Sequence, residues 1–292
     1  MMDTPQEFHY RLRGRVSGQR PGSHPGSGIG AGQEFVSHTS LYNRPDPRRL
    51  DLRASLRGLN DEWLVRVNRQ RAGASVRALV DVSASMMFGS RRPKLQVVAD
   101  FVEALGLSAF RVGDAVGMMA FDEAERTDLF VPARVSRGMG SLMSAALRAV
   151  CEGGGATPSH GGPGDGLEDA ASRLAGQQGL VFLVSDFHWP LERLDMALDL
   201  LAHAGVIPVV VWDPAETEPP TQNALASLRD AESGTRRTLW LRPRLREEWR
   251  RGVEQRRAEI DSFFAAHAIR PFYMEGAFDA DALSRYFFEA DL

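Results

Sequence analysis

The residues best equipped for chemistry stand together at Asp81-Val82-Ser83-Ala84-Ser85. One carboxylate and two hydroxyls on a single loop are hard oxygen donors of the kind that Mg2+, Mn2+ or Ca2+ accepts. Such an ion takes about six oxygens, so other loops must contribute. Asp186, directly after the apolar run Leu180-Val181-Phe182-Leu183-Val184, is the natural second carboxylate. Thr157, in Gly153-Gly154-Gly155-Ala156-Thr157-Pro158, offers a further hydroxyl, with Ser141 and Ser144 as fallback donors. Two carboxylates and neutral hydroxyls undercompensate a dication and leave coordination positions open, where a carboxylate from outside would bind. A plainer reading stays open for each part. The serines could cap the helix that follows them, and Asp186 could cap a helix predicted over 191–203.

These groups need elements to hold them. From Ser75 onward strand and helix signals alternate, as a parallel sheet with crossover helices requires. Strands are predicted at 75–81, 115–121, 179–185 and 206–212, with another near 269–273. Helices are predicted at 92–110, 140–151, 166–175, 191–203, 243–267 and 278–289. Leu95, Val98, Phe101, Leu105 and Ala109 carry the helical period of the first of these. The unbroken apolar runs suit central strands covered on both faces, hence a doubly wound, mostly parallel α/β fold. Ligands of such sheets sit beyond the carboxyl ends of strands, where Asp81 and Asp186 both fall.

Composition narrows the class further. The chain has 292 residues, 43% of them apolar, enough for a sizeable core, and a net charge of −3 that argues for neither nucleic acid nor membrane as partner. Its one cysteine, Cys151, permits no internal disulfide and no cysteine-based zinc cage. No apolar run approaches the roughly 18 residues that cross a bilayer, and no apolar leader follows the start, so a cytoplasmic setting is expected. Residues 14–32 are rich in Gly, Ser, Pro and Arg, and residues 1–32 read as a flexible arm. Their alternate glycines lack the preceding strand and following Lys-Ser of a phosphate loop. Phe35, Tyr42, Trp63 and Trp212 are expected to pack in the core or cover it, His188 to be a hydrogen-bonded structural residue, and His160 to be solvated. Arg48, Arg49, Asp51, Arg53 and Arg66 are either ordinary solvated charges or a docking surface for an acidic face of a partner.

Asp81-Val82-Ser83-Ala84-Ser85 after a strand resembles the metal-ion-dependent adhesion site of von Willebrand factor A domains. In those domains a loop threonine and a later aspartate complete the site, roles that the resemblance gives to Thr157 and Asp186. Here Pro158 to Gly166 intervene where the family runs from Gly-Gly-Thr straight into a helix. A narrower resemblance is carried by Gln33-Glu34-Phe35, by Tyr42 to Ser55 and by Leu64-Val65-Arg66. Asp230-Ala231-Glu232-Ser233-Gly234, Pro271-Phe272-Tyr273 and Tyr286-Phe287-Phe288 extend it. Together they look like the domain-of-unknown-function-fifty-eight family, von Willebrand factor A-like proteins usually encoded beside a MoxR-type AAA+ ATPase. Leu52 stands where the wider family favours Trp. The resemblance divides the chain into the arm, a family-specific segment over 33–74, and a von Willebrand factor A-like domain over 75–292.

That resemblance implies a metal-dependent adaptor, not an enzyme, that works with a MoxR-type ATPase on a client presenting an Asp or Glu. Glu7-Phe8-His9-Tyr10-Arg11-Leu12 is similar to the branch encoded with methanol dehydrogenase, which would then be the client. Two alternatives remain. Asp81 could be the nucleophile of a Mg2+-dependent hydrolase or phosphatase, although Ser83 stands where haloacid dehalogenase-type enzymes need a second acid. The fold could also be a scaffold without metal.

Overall fold

Each long apolar run becomes a strand of one central sheet. The computed structural model describes residues 6–12, 21–30, 32, 34–58, 62–153, 164–220, 225–229 and 236–289. In chain order the first elements are β1 (Pro21–Gly30), β2 (Glu34–Ser40), α1 (Leu52–Arg57) and β3 (Leu64–Ala72). Then follow β4 (Ser75–Asp81), α2 (Lys94–Val112), β5 (Ala115–Phe121), β6 (Val131–Arg134), α3 (Met139–Glu152) and α4 (Gly164–Ser172). The last part holds β7 (Gly179–Ser185), α5 (Leu194–Leu200), β8 (Ala204–Trp212), α6 (Pro214–Thr217), β9 (Leu225–Arg229) and β10 (Arg236–Trp240). It closes with α7 (Pro243–Ala266), β11 (Phe272–Glu275) and α8 (Ala280–Glu289).

The central sheet has the order β11-β8-β7-β4-β5-β6, parallel throughout except for the edge strand β6. This is an α/β architecture whose sheet is flanked by helices. Alternate residues of β4 face opposite ways. Val76, Ala78 and Val80 join one core with α2, α3 and α8, while Leu79 joins Met119, Phe121 and Leu183 in a second core under α4, α5 and α7. With both faces covered, a strand has no need of polar alternation, which is why β4, β5 and β7 begin and end where the apolar runs do.

Among the described residues there are also two smaller sheets. β1, β3 and β2 pair antiparallel in that order, and β9 pairs with β10. The segment expected to be a flexible arm is thus ordered in its described parts. Residues 21–30 form a strand against β3, and Phe8 and Tyr10 are buried at 3% and 8% exposure. Phe8 lies 6.1 Å from the ring of Phe101 and 6.0 Å from that of Phe278, and its N–H donates to Ser108 Oγ at 3.0 Å. The Tyr10 hydroxyl donates to Asp114 Oδ2 at 2.6 Å, and His24 Nε2 lies 2.8 Å from the same oxygen. Three core-bound side chains outweigh a composition poor in apolar residues. Phe35, Tyr42 and Trp63 depart from expectation in the opposite sense, with 53%, 96% and 53% of their surface exposed, whereas Trp212 is buried as expected.

Candidate metal site at the ends of β4 and β7

β4 and β7 are neighbours in register, Val80 opposite Val184, so Asp81, Ser185 and Asp186 emerge side by side at their carboxyl ends. Both aspartates are fully buried. Asp81 Oδ1 accepts the Ser83 N–H at 2.9 Å and Oδ2 accepts the Ser185 hydroxyl at 2.6 Å. The Ser83 hydroxyl also reaches Asp81, the Ser85 hydroxyl reaches Asp186, and the two serine oxygens lie 3.2 Å apart. Asp81, Ser83, Ser85 and Asp186 therefore form one connected chain of oxygens. Burial, with the nearby charge of Asp186, pushes the Asp81 carboxyl up to about 6 against the pull of its hydroxyl donors.

The surroundings of Asp186 were not legible as a site. Lys94, the first residue of α2 and 1% exposed, donates from Nζ to Asp186 Oδ2 and to Glu216 Oε1, each at 2.7 Å. Burial opposes ionisation of Asp186, yet the Lys94 ammonium, His188 and hydrogen bonds from Lys94 and Ser85 hold its carboxyl below the usual range. Glu216 is fixed in turn by a capping box, its Oε2 accepting the Asp213 N–H at 2.9 Å. Asp213 Oδ2 accepts the Ser90 N–H at 3.0 Å, which ties the loop after Ser85 to the end of β8. Donor atoms of Asp186, His188 and Glu216 lie within 4.8 Å of one another, and the lysine ammonium supplies positive charge to the two acids. Two signals were present in the sequence. A lysine opening an apolar helix stands where the helix dipole disfavours a cation, and Asp213-Pro214-Ala215-Glu216 has capping-box spacing after a strand.

Asp186 does not cap the next helix, because Pro190 and Arg193 hold the cap positions of the turn at Leu191–Arg193 and of α5. Its Oδ1 instead accepts the His188 N–H at 3.2 Å. Phe187 takes a left-handed φ of 51°, a conformation costly for a bulky residue and kept only where neighbours enforce it. Here the enforcers are named groups. Phe187 N–H donates to Ser185 Oγ at 3.0 Å, and Trp212 Nε1 donates to Asp186 O at 2.9 Å. Arg256 on α7 donates from Nη2 to Phe187 O and Trp189 O, both at 2.5 Å. His188 stacks on Trp212 with rings 5.9 Å apart and 6° from parallel, in keeping with a structural residue.

The donor set suits a hard dication. With Mg–O bonds of about 2.1 Å, adjacent octahedral ligands lie roughly 3 Å apart, close to the separation of the Ser83 and Ser85 oxygens. Asp81, Ser83 and Ser85 would hold the ion, and Asp186, already bonded to Lys94 and Ser85, would flank it. Thr157 and His160 lie outside the described residues. Ser141 is exposed and Ser144 donates to Glu103 Oε2 at 3.3 Å, so neither joins the cluster.

Fold and site together define an α/β protein with a mostly parallel six-stranded sheet and an oxygen-rich cluster at the ends of two adjacent strands. The chain belongs to the DUF58 family, a family of proteins of unknown function, whose model matches residues 44–259 and so contains Asp81, Lys94, Asp186 and Arg256. It is 29% identical over 185 residues to uncharacterized proteins of Mycobacterium tuberculosis and Mycobacterium bovis, an overlap of 62% of this chain and 56% of theirs. The chain therefore spans little more than half the length of these relatives. Among solved structures it is similar to an aerotolerance-related membrane protein of Bacteroides fragilis, at 16% identity, 75% of this chain, 98% of that one and a TM-score of 0.39. It is also similar to the PilB minor pilin of Streptococcus sanguinis, at 10% identity, 80% of this chain, 65% of that one and a TM-score of 0.41. Among the described residues no helix is long and apolar enough to cross a membrane.

Proposed function

We propose that this chain is a von Willebrand factor A-like adaptor that binds Mg2+ or a similar ion and works in the cytoplasm with a MoxR-type AAA+ ATPase in maturing a client complex. The observation that carries the reading is the connected chain of Asp81, Ser83, Ser85 and Asp186 oxygens at the ends of adjacent strands. When bound, the ion supplies a Lewis-acidic position for the carboxylate of an Asp or Glu on the partner. The protein's own residues do the rest. Asp81 is held by Ser83 and Ser185, Lys94 takes up much of the charge of Asp186, and Arg256 fixes the loop that carries it. Because Lys94 already pairs with Asp186, that carboxylate would neutralise less of the charge of an ion held by Asp81, Ser83 and Ser85.

Lys94 also favours a second reading, a scaffold in which the tethered ammonium does what an ion would do elsewhere. Calorimetric titration of Mg2+ and Mn2+ into metal-free wild type, Asp81→Ala and Asp186→Ala separates the two. Binding by wild type that is lost in Asp81→Ala, together with a loss of affinity for the purified ATPase, is the outcome expected of the adaptor. No binding by wild type, with or without the ATPase, would leave the scaffold.

A further inference from the structure

Six large apolar side chains that face solvent fall within one short stretch of chain, namely Phe35, Val36, Tyr42, Leu52, Leu56 and Trp63. They lie on one continuous piece of structure. Phe35 packs against His38 with ring centroids 4.9 Å apart, and His38 Nε2 lies 3.1 Å from Asp51 Oδ2. Asp51 caps α1, which carries Leu52 and Leu56. Leu64 N–H donates to Ser55 Oγ at 2.8 Å, and Leu41 N–H donates to Trp63 O at 2.7 Å, joining α1 and the Tyr42 turn to the start of β3. Tyr42 and Leu56, at 96% and 82% exposure, are as open to water as folded side chains become.

The charges around these groups are not those of the chain at large. Residues 34–72 carry eight arginines, no lysine and five acids in a protein whose net charge is −3. Asp46 and Asp51 are engaged by Arg49 and Arg66 at 3.2 and 2.7 Å. Arg44, Arg48, Arg53 and Arg57 are exposed and make no ion pair among the described residues. Exposed aromatic and aliphatic anchors within a rim of arginine, with lysine absent, have the composition of a protein interface. Nucleic acid fits less well. Leu52, Leu56 and Val36 have no π face for a base to stack on, and Glu34, Asp46, Asp51 and Glu62 interrupt the positive charge that phosphates would need.

We propose that this exposed region around β2 and α1 docks a partner protein whose contact surface is acidic around an apolar pocket. The proposal goes beyond the ion-site reading and does not depend on it. β3 passes through Gly73 and Ala74 into the amino end of β4, whereas Asp81 closes the carboxyl end of that strand. The chain then has two contact regions, one in the small sheet that leads into β4 and recognising carboxylates through arginine, the other at the carboxyl end of β4 and recognising them through an ion.

A photo-crosslinking amino acid placed at Tyr42 of the full chain, produced in cells of the source organism, tests the proposal, with the same group at exposed Met196 as control. The expected result is a protein adduct at Tyr42 whose linked peptide is net acidic. Its yield should fall about tenfold or more in Arg48→Glu/Arg53→Glu/Arg57→Glu, where like charges would meet. Circular dichroism and thermal melting of the triple variant establish that it folds, and Arg48→Lys/Arg53→Lys/Arg57→Lys should retain part of the yield. An adduct no stronger than at Met196, a nucleic-acid adduct, or a protein adduct indifferent to charge reversal would overturn the proposal.

Discussion

The ends of β4 and β7 and the exposed region around β2 and α1 depart from the usual partition of a folded chain in opposite directions. At the first, carboxylates, hydroxyls and an ammonium are buried and bound to one another. At the second, aromatic and aliphatic side chains face water beside guanidinium groups that have no acid among the described residues. Polar atoms inside must be neutralised by the protein itself, so that region is costly to disturb. Apolar atoms outside contribute little to the fold and are free to vary with a partner. One molecule thus separates a place that stability cannot spare from a place that it can.

The sharpest test of that contrast is Lys94→Met, which leaves Asp186 and Glu216 facing each other without their cation. A loss of about 3–5 kcal/mol in urea unfolding is expected, as for other broken buried ion pairs. Arg256→Ala comes next, since it removes the donors that hold the carbonyls of Phe187 and Trp189. It should cost about 2–3 kcal/mol and raise hydrogen exchange between residues 186 and 189.

Asp81→Asn has a smaller, pH-dependent effect whose sign follows from the raised carboxyl. The folded protein holds the Asp81 proton longer than the unfolded chain does, so the group favours folding at low pH and that advantage is lost as pH rises through about 6. The amide never ionises. Metal-free Asp81→Asn should therefore gain on wild type by about 2 kcal/mol between pH 4 and pH 7.5, read from chemical denaturation at both values. The smallest effect belongs to the exposed face, where Tyr42→Ala and Leu56→Ala should each stay within about 0.5 kcal/mol of wild type. Unfolding of either variant would erase the contrast between the two regions.

The legible part of the molecule was the part with a single physical signal. β4, β5 and β7 could be bounded from sequence because strands buried on both faces must be apolar from end to end. Asp81, Ser83, Ser85 and Asp186 came with them, being placed by the strands they follow. The β1-β3-β2 sheet was invisible for the converse reason. β1 is a Gly-Ser-Pro run that becomes a strand only because β3 pairs with it, and β2 shows solvent most of its side chains, so neither carries an alternating pattern. Lys94 was hidden differently. Its partners Asp186 and Glu216 lie 92 and 122 residues away, and only the fold brings them to it.

The insertion of residues 6–12 into the main core has a consequence for how the molecule is made. Phe8 and Tyr10 leave the ribosome long before their neighbours Phe278 and Phe287, and His9 N–H must wait for Ser284 Oγ, 275 positions further along. Contacts of such sequence separation are the slowest to form, and the apolar segment stays uncovered during translation. Completion of the core is thereby deferred until α8 has been made, and a nascent chain stalled before α8 would present Phe8 and Tyr10 as a handle for chaperones.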